Sequence, residues 1–217
     1  MKNDYKLFKV HRLFKEDKNL IKGCYSEYDF LHYNPVNDDF LDRIFIDGSF
    51  WGIFDGEKVA ALSYMMLPKS KVFSNLTASW EIKDLLDSDL EDYIVCGYVW
   101  KSKDYEDRSC YTALSKLWEI WRIKKRKKGI IHYMPAHVNV DFNSLFKEGF
   151  ELIGLRGFDK LVPHYIFVKD TSDEKININI EKTLECPLSD TKEISKLCEH
   201  GYRGYEIMAG ENILFRR

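Results

Sequence analysis

The residues that could do chemistry lie in a short polar loop between an apolar stretch and an amphipathic helix. Residues 105–111 read Tyr-Glu-Asp-Arg-Ser-Cys-Tyr, and Tyr93–Trp100 before them is nearly all apolar. The first amides of a helix lack intrahelical partners and carry partial positive charge, so a loop that aims them outward can bind phosphate. The local sequence by itself favours a simpler interpretation, which is a polar N-cap before the helix.

The cysteines and histidines do not follow a metal-binding pattern. Five cysteines and six histidines are scattered along the chain, and neither a C-x-x-C motif nor a Cys/His cluster with zinc spacing occurs. We therefore expect reduced, mostly structural thiols and no metal ion.

The charge balance argues against nucleic-acid binding. The 217 residues include 33 Lys and Arg against 35 Asp and Glu, a net charge of −2, and 45% apolar residues suffice for a core. The basic run Lys124–Lys128 ends a predicted helix, where cations complement the helix dipole, so a solvated role is expected. No window approaches the ~18 apolar residues of a membrane span, and Met1–His11 has no apolar signal core. We therefore expect a cytoplasmic protein with neither a nucleic-acid nor a membrane partner.

Hydrophobic periodicity predicts alternating strands and helices over the first 135 residues. Alternating or continuous apolar stretches predict strands, and three- and four-residue spacing predicts helices. Asp55-Gly56 between two apolar runs is a strong hairpin signal. The predicted strands are Tyr5–Phe14, Phe50–Phe54, Lys58–Leu67, Tyr93–Trp100 and Ile130–Met134. The predicted helices are Lys15–Phe30, Asp38–Ile46 and Thr112–Lys128, with a helical turn within Trp80–Leu86.

The remainder of the chain is divided by a polar linker at residues 170–175. Before it, the pattern predicts a helix at Phe142–Lys147 and a hairpin of Leu152–Phe158 with His164–Lys169. After it, the predicted elements are a strand at Ile176–Leu184, a helix at Thr191–His200 and a hairpin within Tyr205–Phe215. We therefore predict a domain of residues 1–170 and a C-terminal β-α-β-β extension of residues 171–217. The extension is expected to pack on the domain, because so few strands are marginal in isolation.

The order of elements and two motifs resemble the GNAT N-acetyltransferase fold. The stretch Tyr93–Leu114, YIVCGYVWKSKDYEDRSCYTAL, ends similarly to the Tyr-Arg-Asn-Arg-Gly-Ile-Tyr-Ser-Ala-Leu loop of one GNAT branch. HVN at 137–139, followed by LFKEGF at 145–150, resembles the H-P-x-N…L-(Y/F)-x-K-x-G-F segment of the family. The resemblance covers residues 5–170 and implies an α/β (α+β) fold. Its mixed central sheet would have splayed fourth and fifth strands and flanking helices.

The resemblance implies acetyl-CoA as co-substrate. In GNAT proteins the loop and helix start hold the pyrophosphate of CoA, and the splayed strands hold the pantetheine arm through their backbones. Glu106 stands where the family prefers Arg or Gln, Asp107 adds a second carboxylate, and Ser109 replaces the central glycine. Each exposed carboxylate weakens such a cradle by about 1 kcal/mol. The cofactor-binding positions carried over are Val95, Cys96, Gly97, Tyr98, Val99, Arg108, Ser109, Cys110, Tyr111, Thr112, Ala113 and Asn139.

The resemblance also implies direct attack of an amine on the thioester, with a base for the amine and an acid for the thiolate. Glu91 and Asp92, before the fourth strand, are the base candidates, and a solvated loop end is the alternative for both. The tyrosine that serves as acid in the family falls on residues 145–146, which lack a hydroxyl here. Tyr133 or Ser144 would then substitute, or water would reprotonate the thiolate.

In GNAT proteins the acceptor site is covered by the first two helices. The residues predicted to line it are Tyr28, Asp29, His32 and Tyr33. An aromatic and acidic lining suits an amine, although ordinary packing of an aromatic-rich domain is the alternative. The acceptor, a small-molecule or peptide amine, is left open, as is the oligomeric state, with a homodimer as one form. The order of elements and the match of Arg108, Tyr111 and Asn139 to the family favour an acyl-CoA-dependent N-acyltransferase that moves an acetyl group to an amine. The degraded loop and the missing tyrosine support the alternative, a catalytically degenerate GNAT-fold module that binds a ligand or partner.

Overall fold

A computed structural model of the protein describes nine segments of the chain. They are residues 8–26, 36–69, 82–97, 99–105, 109–136, 141–158, 162–171, 183–208 and 211–217. For residues 109, 158 and 162 the backbone alone is described. The predicted acceptor-site residues 28–33 lie outside these segments.

The described part of the first 135 residues forms strands and helices in the predicted order. In chain order they form β1 (Lys9–Leu13), α1 (Lys18–Ser26), α2 (Asp38–Asp47), β2 (Gly48–Asp55), β3 (Lys58–Met66), β4 (Tyr93–Cys96), β5 (Trp100–Lys101), α3 (Ser109–Lys124) and β6 (Gly129–Pro135). α2 begins where the side chain of Asn37 accepts a hydrogen bond from the amide of Phe40. The β2–β3 hairpin turns through Gly56 at a φ of 63°, which glycine adopts readily.

The later elements also follow the predicted order. They are α4 (Phe142–Lys147), β7 (Glu151–Phe158), β8 (Val162–Asp170), β9 (Leu184–Pro187), α5 (Thr191–Glu199), β10 (Arg203–Met208) and β11 (Asn212–Arg216). The side chains of Asp141 and Asp190 cap α4 and α5 by accepting hydrogen bonds from backbone amides. The predicted strand Ile176–Leu184 falls mostly outside the described residues, and β9 starts at its last residue.

The strands form one mixed sheet, which confirms the predicted fold class. Among the described residues the order is β1-β2-β3-β4-β6-β8-β7-β10-β11-β9, with β5 also paired to β3. The pair β4–β6 is parallel, and the other pairs are antiparallel. The C-terminal strands β9, β10 and β11 belong to the same sheet as β1–β8, because Gly204 of β10 pairs with Leu152 of β7. Arg203 and Arg216 reinforce this junction through ion pairs with Glu151.

Helices cover both faces of the sheet, and each face buries its own apolar cluster. On one face α3 and α4 pack over β4, β6 and β8, with Trp118 fully buried at the centre and its indole donating to Ser63 at 3.2 Å. On the other face α1 and α2 bury Ile21 and Leu41 against β3, β4 and β6. Successive strand residues point to opposite faces, so adjacent residues of β4 and β6 contribute to different clusters.

Two predicted boundaries are wrong in ways that affect function. The predicted strand Tyr93–Trp100 is interrupted after Cys96, and Trp100–Lys101 is a separate pairing. The predicted helix Thr112–Lys128 instead spans Ser109–Lys124, because Arg126 adopts a φ of 55°, which is incompatible with a right-handed helix. The basic run therefore lies partly in the turn after α3 rather than wholly within a helix.

Candidate active site

The central feature is a fork between β4 and β6. The parallel ladder runs from Tyr93 opposite Gly129 to Cys96 opposite His132. Beyond that pair, β6 continues beside β8 as far as Pro135, whereas the chain after Cys96 stays with β3. The two neighbouring strands therefore separate at Cys96 and His132, and their facing backbone edges diverge.

A β-bulge in the chain after Cys96 produces this separation. Met65 of β3 pairs with Cys96, and Leu62 of β3 pairs with Trp100. The chain therefore takes four residue steps between Cys96 and Trp100 where β3 takes three, so it contains one extra residue. The extra residue bends the bulged strand and increases its twist. The amide of Gly97 donates a hydrogen bond to the carbonyl of Tyr64 at 3.1 Å, and this bond holds the start of the bulge beside β3.

A pair of buried tyrosines lies beside the fork on the α1–α2 face. The hydroxyls of Tyr64 and Tyr133 are 2.6 Å apart, and both side chains are buried. Tyr133 is the first residue of β6 beyond the last pair with β4, so the predicted acid is at the fork. A Cβ atom at Gly97 would approach the ring of Tyr64 to 1.9 Å, so a glycine is required there. Sequence analysis missed Tyr64, which carries no motif and reaches the site by strand pairing alone.

On the α3 face, His132 joins the last strand pair of the fork to α3. Its Nδ1 lies 3.0 Å from the carbonyl oxygen of Cys96, and its Nε2 lies 2.9 Å from the hydroxyl of Tyr111. Burial lowers the pKa of His132 to about 4, and burial raises the pKa of Tyr111 well above its usual value, so both groups are neutral at pH 7. A carbonyl only accepts, so Nδ1 carries the proton and Tyr111 donates to Nε2.

This hydrogen bond sets where α3 begins relative to the fork. Tyr111 is the third residue of α3, so its bond to His132 brings the helix start to the open end of the fork. The amides of the first four residues of a helix have no intrahelical partners. The described helix begins with Ser109, Cys110, Tyr111 and Thr112, so this positive end of α3 lies beside the fork. The structure thus combines two diverging strand edges with a partially positive helix end.

A buried histidine lies next to the tyrosine pair. His164 of β8 is opposite Pro135 of β6, and its ring centroid is 6.2 Å from that of Tyr133. Its side chain is 4% exposed. An imidazole and two phenols are therefore grouped at the open end of the fork, and sequence analysis did not identify the imidazole.

Glu91 and Asp92 lie at the opposite end of β4. They occupy a short helical turn before the strand, and the extended residues of β4 from Tyr93 to Cys96 place about 10 Å between this turn and the fork. Glu91 forms an ion pair with Lys69 at 3.1 Å, and Asp92 forms one with Lys128 at 2.6 Å. The structure does not bring these two predicted bases to the fork.

Some of the remaining predicted cofactor-binding residues lie within the described segments, and others lie outside them. Val95, Cys96, Gly97 and Val99 are buried on the strand side of the fork, and Cys110, Thr112 and Ala113 lie in the first turns of α3. Burial raises the pKa of the Cys96 thiol well above its usual value, so Cys96 is not an ionised nucleophile. Tyr98, Arg108 and Asn139 lie outside the described residues, as do Glu106 and Asp107.

Solved structures provide the comparison, since neither a family model nor a curated protein matches the chain. A probable acetyltransferase from Staphylococcus epidermidis superposes at a TM-score of 0.57 with 9% identity, covering 76% of this chain and 100% of that one. The Arabidopsis thaliana NAA60 complex with acetyl-CoA gives 0.55 with 14% identity over 76% and 98% of the chains. A GNAT-family acetyltransferase from Listeria monocytogenes gives 0.54 with 14% identity over 75% and 94%.

The chain has the GNAT acetyltransferase fold. At these identities the likeness concerns the fold alone, and it agrees with the mixed sheet flanked by helices described above. Within the described segments, no group of three or more metal-ligating side chains occurs, and no helix is long and apolar enough to cross a membrane. All five cysteines are described, buried and without a disulfide.

Proposed function

We propose that the protein is an acyl-CoA-dependent N-acyltransferase that moves an acetyl group from acetyl-CoA to an amine. The observation that carries the proposal is the fork between β4 and β6 with the start of α3 at its open end. An extended arm can add to strand edges through backbone hydrogen bonds, and a helix start favours phosphate. A ligand with an amide-bearing arm and a pyrophosphate fits both features.

In this proposal the backbone does most of the binding. The strand edge at Val95–Val99 holds the pantetheine arm, and the start of α3 at Ser109–Thr112 holds the pyrophosphate, with Ala113 in contact beside it. Because His132 and Tyr111 are neutral, the side chains that join fork and helix add no charge to the site. Arg108 and Asn139 are further proposed contacts, supported by the motif resemblance.

The side chains at the fork are proposed to move protons. Acetyl-CoA supplies the thioester carbonyl that the amine attacks. When the amine attacks this carbonyl, the C–S bond breaks and CoA leaves as a thiolate, to which Tyr133 donates its proton. The hydroxyl of Tyr64, 2.6 Å away, passes its proton to Tyr133, and solvent returns a proton to Tyr64. His164, beside Tyr133, is the proposed base for the amine. Glu91 and Asp92 take no step in this proposal, because they lie at the other end of β4.

The acceptor amine is proposed to enter on the α1–α2 side. The tyrosine pair belongs to the apolar cluster of that side, whereas α3 closes the opposite face. An amine that enters there meets the proposed acid and base together. A small-molecule amine and a peptide N-terminus both fit this description.

Cofactor binding is tested by calorimetric titration with CoA and acetyl-CoA. Ser109→Asp places a carboxylate at the helix start and is expected to weaken CoA binding about tenfold or more. Thr183→Asp makes the same charge change at an exposed position of the C-terminal extension and is expected to leave binding unchanged. Acetyl-CoA at 100 times its dissociation constant should stabilise the native state by about 2.7 kcal/mol. No thermal shift at millimolar acetyl-CoA would contradict the proposal.

Catalysis is tested by release of free CoA thiol in the presence of a panel of amines. Tyr133→Phe is expected to lower kcat about 100-fold with little change in the KM for acetyl-CoA. Tyr165→Phe is the matched control, since Tyr165 is also buried near this end of the sheet but on the α3–α4 face. Tight CoA binding without turnover of any amine would instead support the ligand-binding module.

A further inference from the structure

A cavity lies at the far end of α3 from the fork. It has a volume of about 440 Å³, opens to solvent and is lined by the last turn of α3, the α2–β2 junction and the end of β3. Lys124, which lines it, is about 22 Å along the helix from Ser109 at a rise of 1.5 Å per residue. The cavity is therefore separate from the candidate active site, and its size is that of a small-molecule site.

The cavity is strongly positive. Four cations and one carboxylate line it: Arg12, Lys69, Lys124, Lys125 and Asp47. Lys69 is neutralised by Glu91 at 3.1 Å. Within the described segments, Arg12, Lys124 and Lys125 have no carboxylate within ion-pair distance. The negative charge of Asp47 offsets one of these three cations, so the cavity has two positive charges in excess. This excess matches the charge of about −1.5 to −2 on a phosphate monoester at pH 7.

The other basic residues of the same segment have structural roles that these lysines lack. Lys128 pairs with Asp92 at 2.6 Å, and Lys127 donates to a backbone carbonyl before β4. These two contacts tie the end of α3 to the start of β4. Lys124 and Lys125 form no such contact with a carboxylate, and they line the cavity instead. The dipole of α3 accounts for cations at this end in general, but not for their convergence with Arg12 of β1.

One part of the cavity's lining is apolar and aromatic. Trp121 is 7% exposed, and the Nζ of Lys125 lies 5.4 Å from the centroid of its ring, a cation–π contact that orients the lysine. Phe45 and Leu67, both half-buried, extend the apolar wall. A ligand with only an anionic head would leave this surface unused.

We propose that this cavity binds a small organic phosphate monoester with an apolar, ring-bearing body. The two excess charges hold the phosphate, and the wall formed by Trp121, Phe45 and Leu67 holds the ring. A carboxylate head carries half the charge and should bind less tightly. The proposal is independent of acetyl-CoA binding at the fork.

The test is calorimetric titration of the full chain with phenyl phosphate, benzoate and inorganic phosphate. Phenyl phosphate is expected to bind at least about fivefold more tightly than either other probe, because only it has both head and ring. Lys124→Glu should weaken it at least about fivefold, and Asp47→Asn should tighten it about twofold or more. Lys116→Glu, an equal change at an exposed position of the same helix, should change affinity less than about twofold.

Two further measurements distinguish failure of this proposal from failure of the proposed function. Ser109→Asp, which is aimed at the fork, should leave phenyl phosphate binding unchanged. Circular dichroism should show native melting for Lys124→Glu, because the side chain is exposed. Equal effects of Lys124→Glu and Lys116→Glu would overturn the proposal, since they would indicate diffuse charge only. Equal affinity for phenyl phosphate and inorganic phosphate, or no binding at millimolar concentration, would overturn it as well.

Discussion

His132 makes the stability of the protein depend on pH in the acid range. Burial lowers its pKa to about 4, against an ordinary value of 6.5. Between these values the unfolded chain binds a proton that the folded chain does not, so the free energy of unfolding decreases as the pH falls from 6.5 to about 4. Above pH 6.5 the imidazole is neutral in both states, and its full contribution is present.

The size of the effect follows from the same two values. Their difference corresponds to about 3 kcal/mol of unfolding free energy, lost progressively over that range. His132→Gln removes the titrating group. Between pH 6.5 and 4, the free energy of unfolding of this variant should therefore decrease by about 3 kcal/mol less than that of the natural chain. Tyr111→Phe should behave differently. It leaves the buried Nε2 without a donor and should cost about 1–3 kcal/mol at pH 7, while the acid-range loss of stability persists.

The measurement is urea denaturation at several pH values from about 4 to 7, followed by tryptophan fluorescence. His200→Gln is the matched control, because that imidazole is exposed and the variant should keep the natural pH dependence. If His132→Gln shows the same acid-range loss as the natural chain, the reasoning about burial is refuted. The assignment of Tyr111 as donor fails if Tyr111→Phe costs no stability at pH 7.

Two other substitutions test the bulge and the C-terminal junction. Gly97→Ala should cost about 1–3 kcal/mol or more in thermal unfolding and weaken CoA binding, since the new methyl would lie 1.9 Å from the buried ring of Tyr64. Gly157→Ala, where a Cβ meets open space, should be nearly neutral, and equal costs would contradict this account. Glu151→Gln should cost about 2 kcal/mol and speed proteolysis in residues 171–183, because Arg216 loses its carboxylate partner and Arg203 keeps its ion pair with Asp87 but loses the one with Glu151. Glu193→Gln, which removes an exposed pair, should cost under about 0.5 kcal/mol, and faster proteolysis in this control would count against the junction.

Local sequence determined most of the elements and their order. Asp55-Gly56 specified the β2–β3 hairpin because the turn residues themselves impose its geometry. Three- and four-residue apolar spacing identified α2 and α3, and the helix Phe142–Lys147 was predicted with the correct bounds. These features depend on residues close together in the chain, so pattern alone is sufficient. The order of elements then indicated the GNAT fold, which the structure confirms.

Tertiary structure decided the fork and the residues around it. Tyr93–Trp100 reads as one strand, because a bulge is defined by the register against β3 and not by composition. Tyr64 and Tyr133 are 69 residues apart, and only the pairing of β3, β4 and β6 brings their hydroxyls to 2.6 Å. Glu91 looked suitable by residue type, but the direction of β4 places it at the far end of the strand. Local sequence thus determines which helices, strands and turns form. The side chains that contact one another at the fork depend on the register between distant strands, which cannot be predicted from a local pattern.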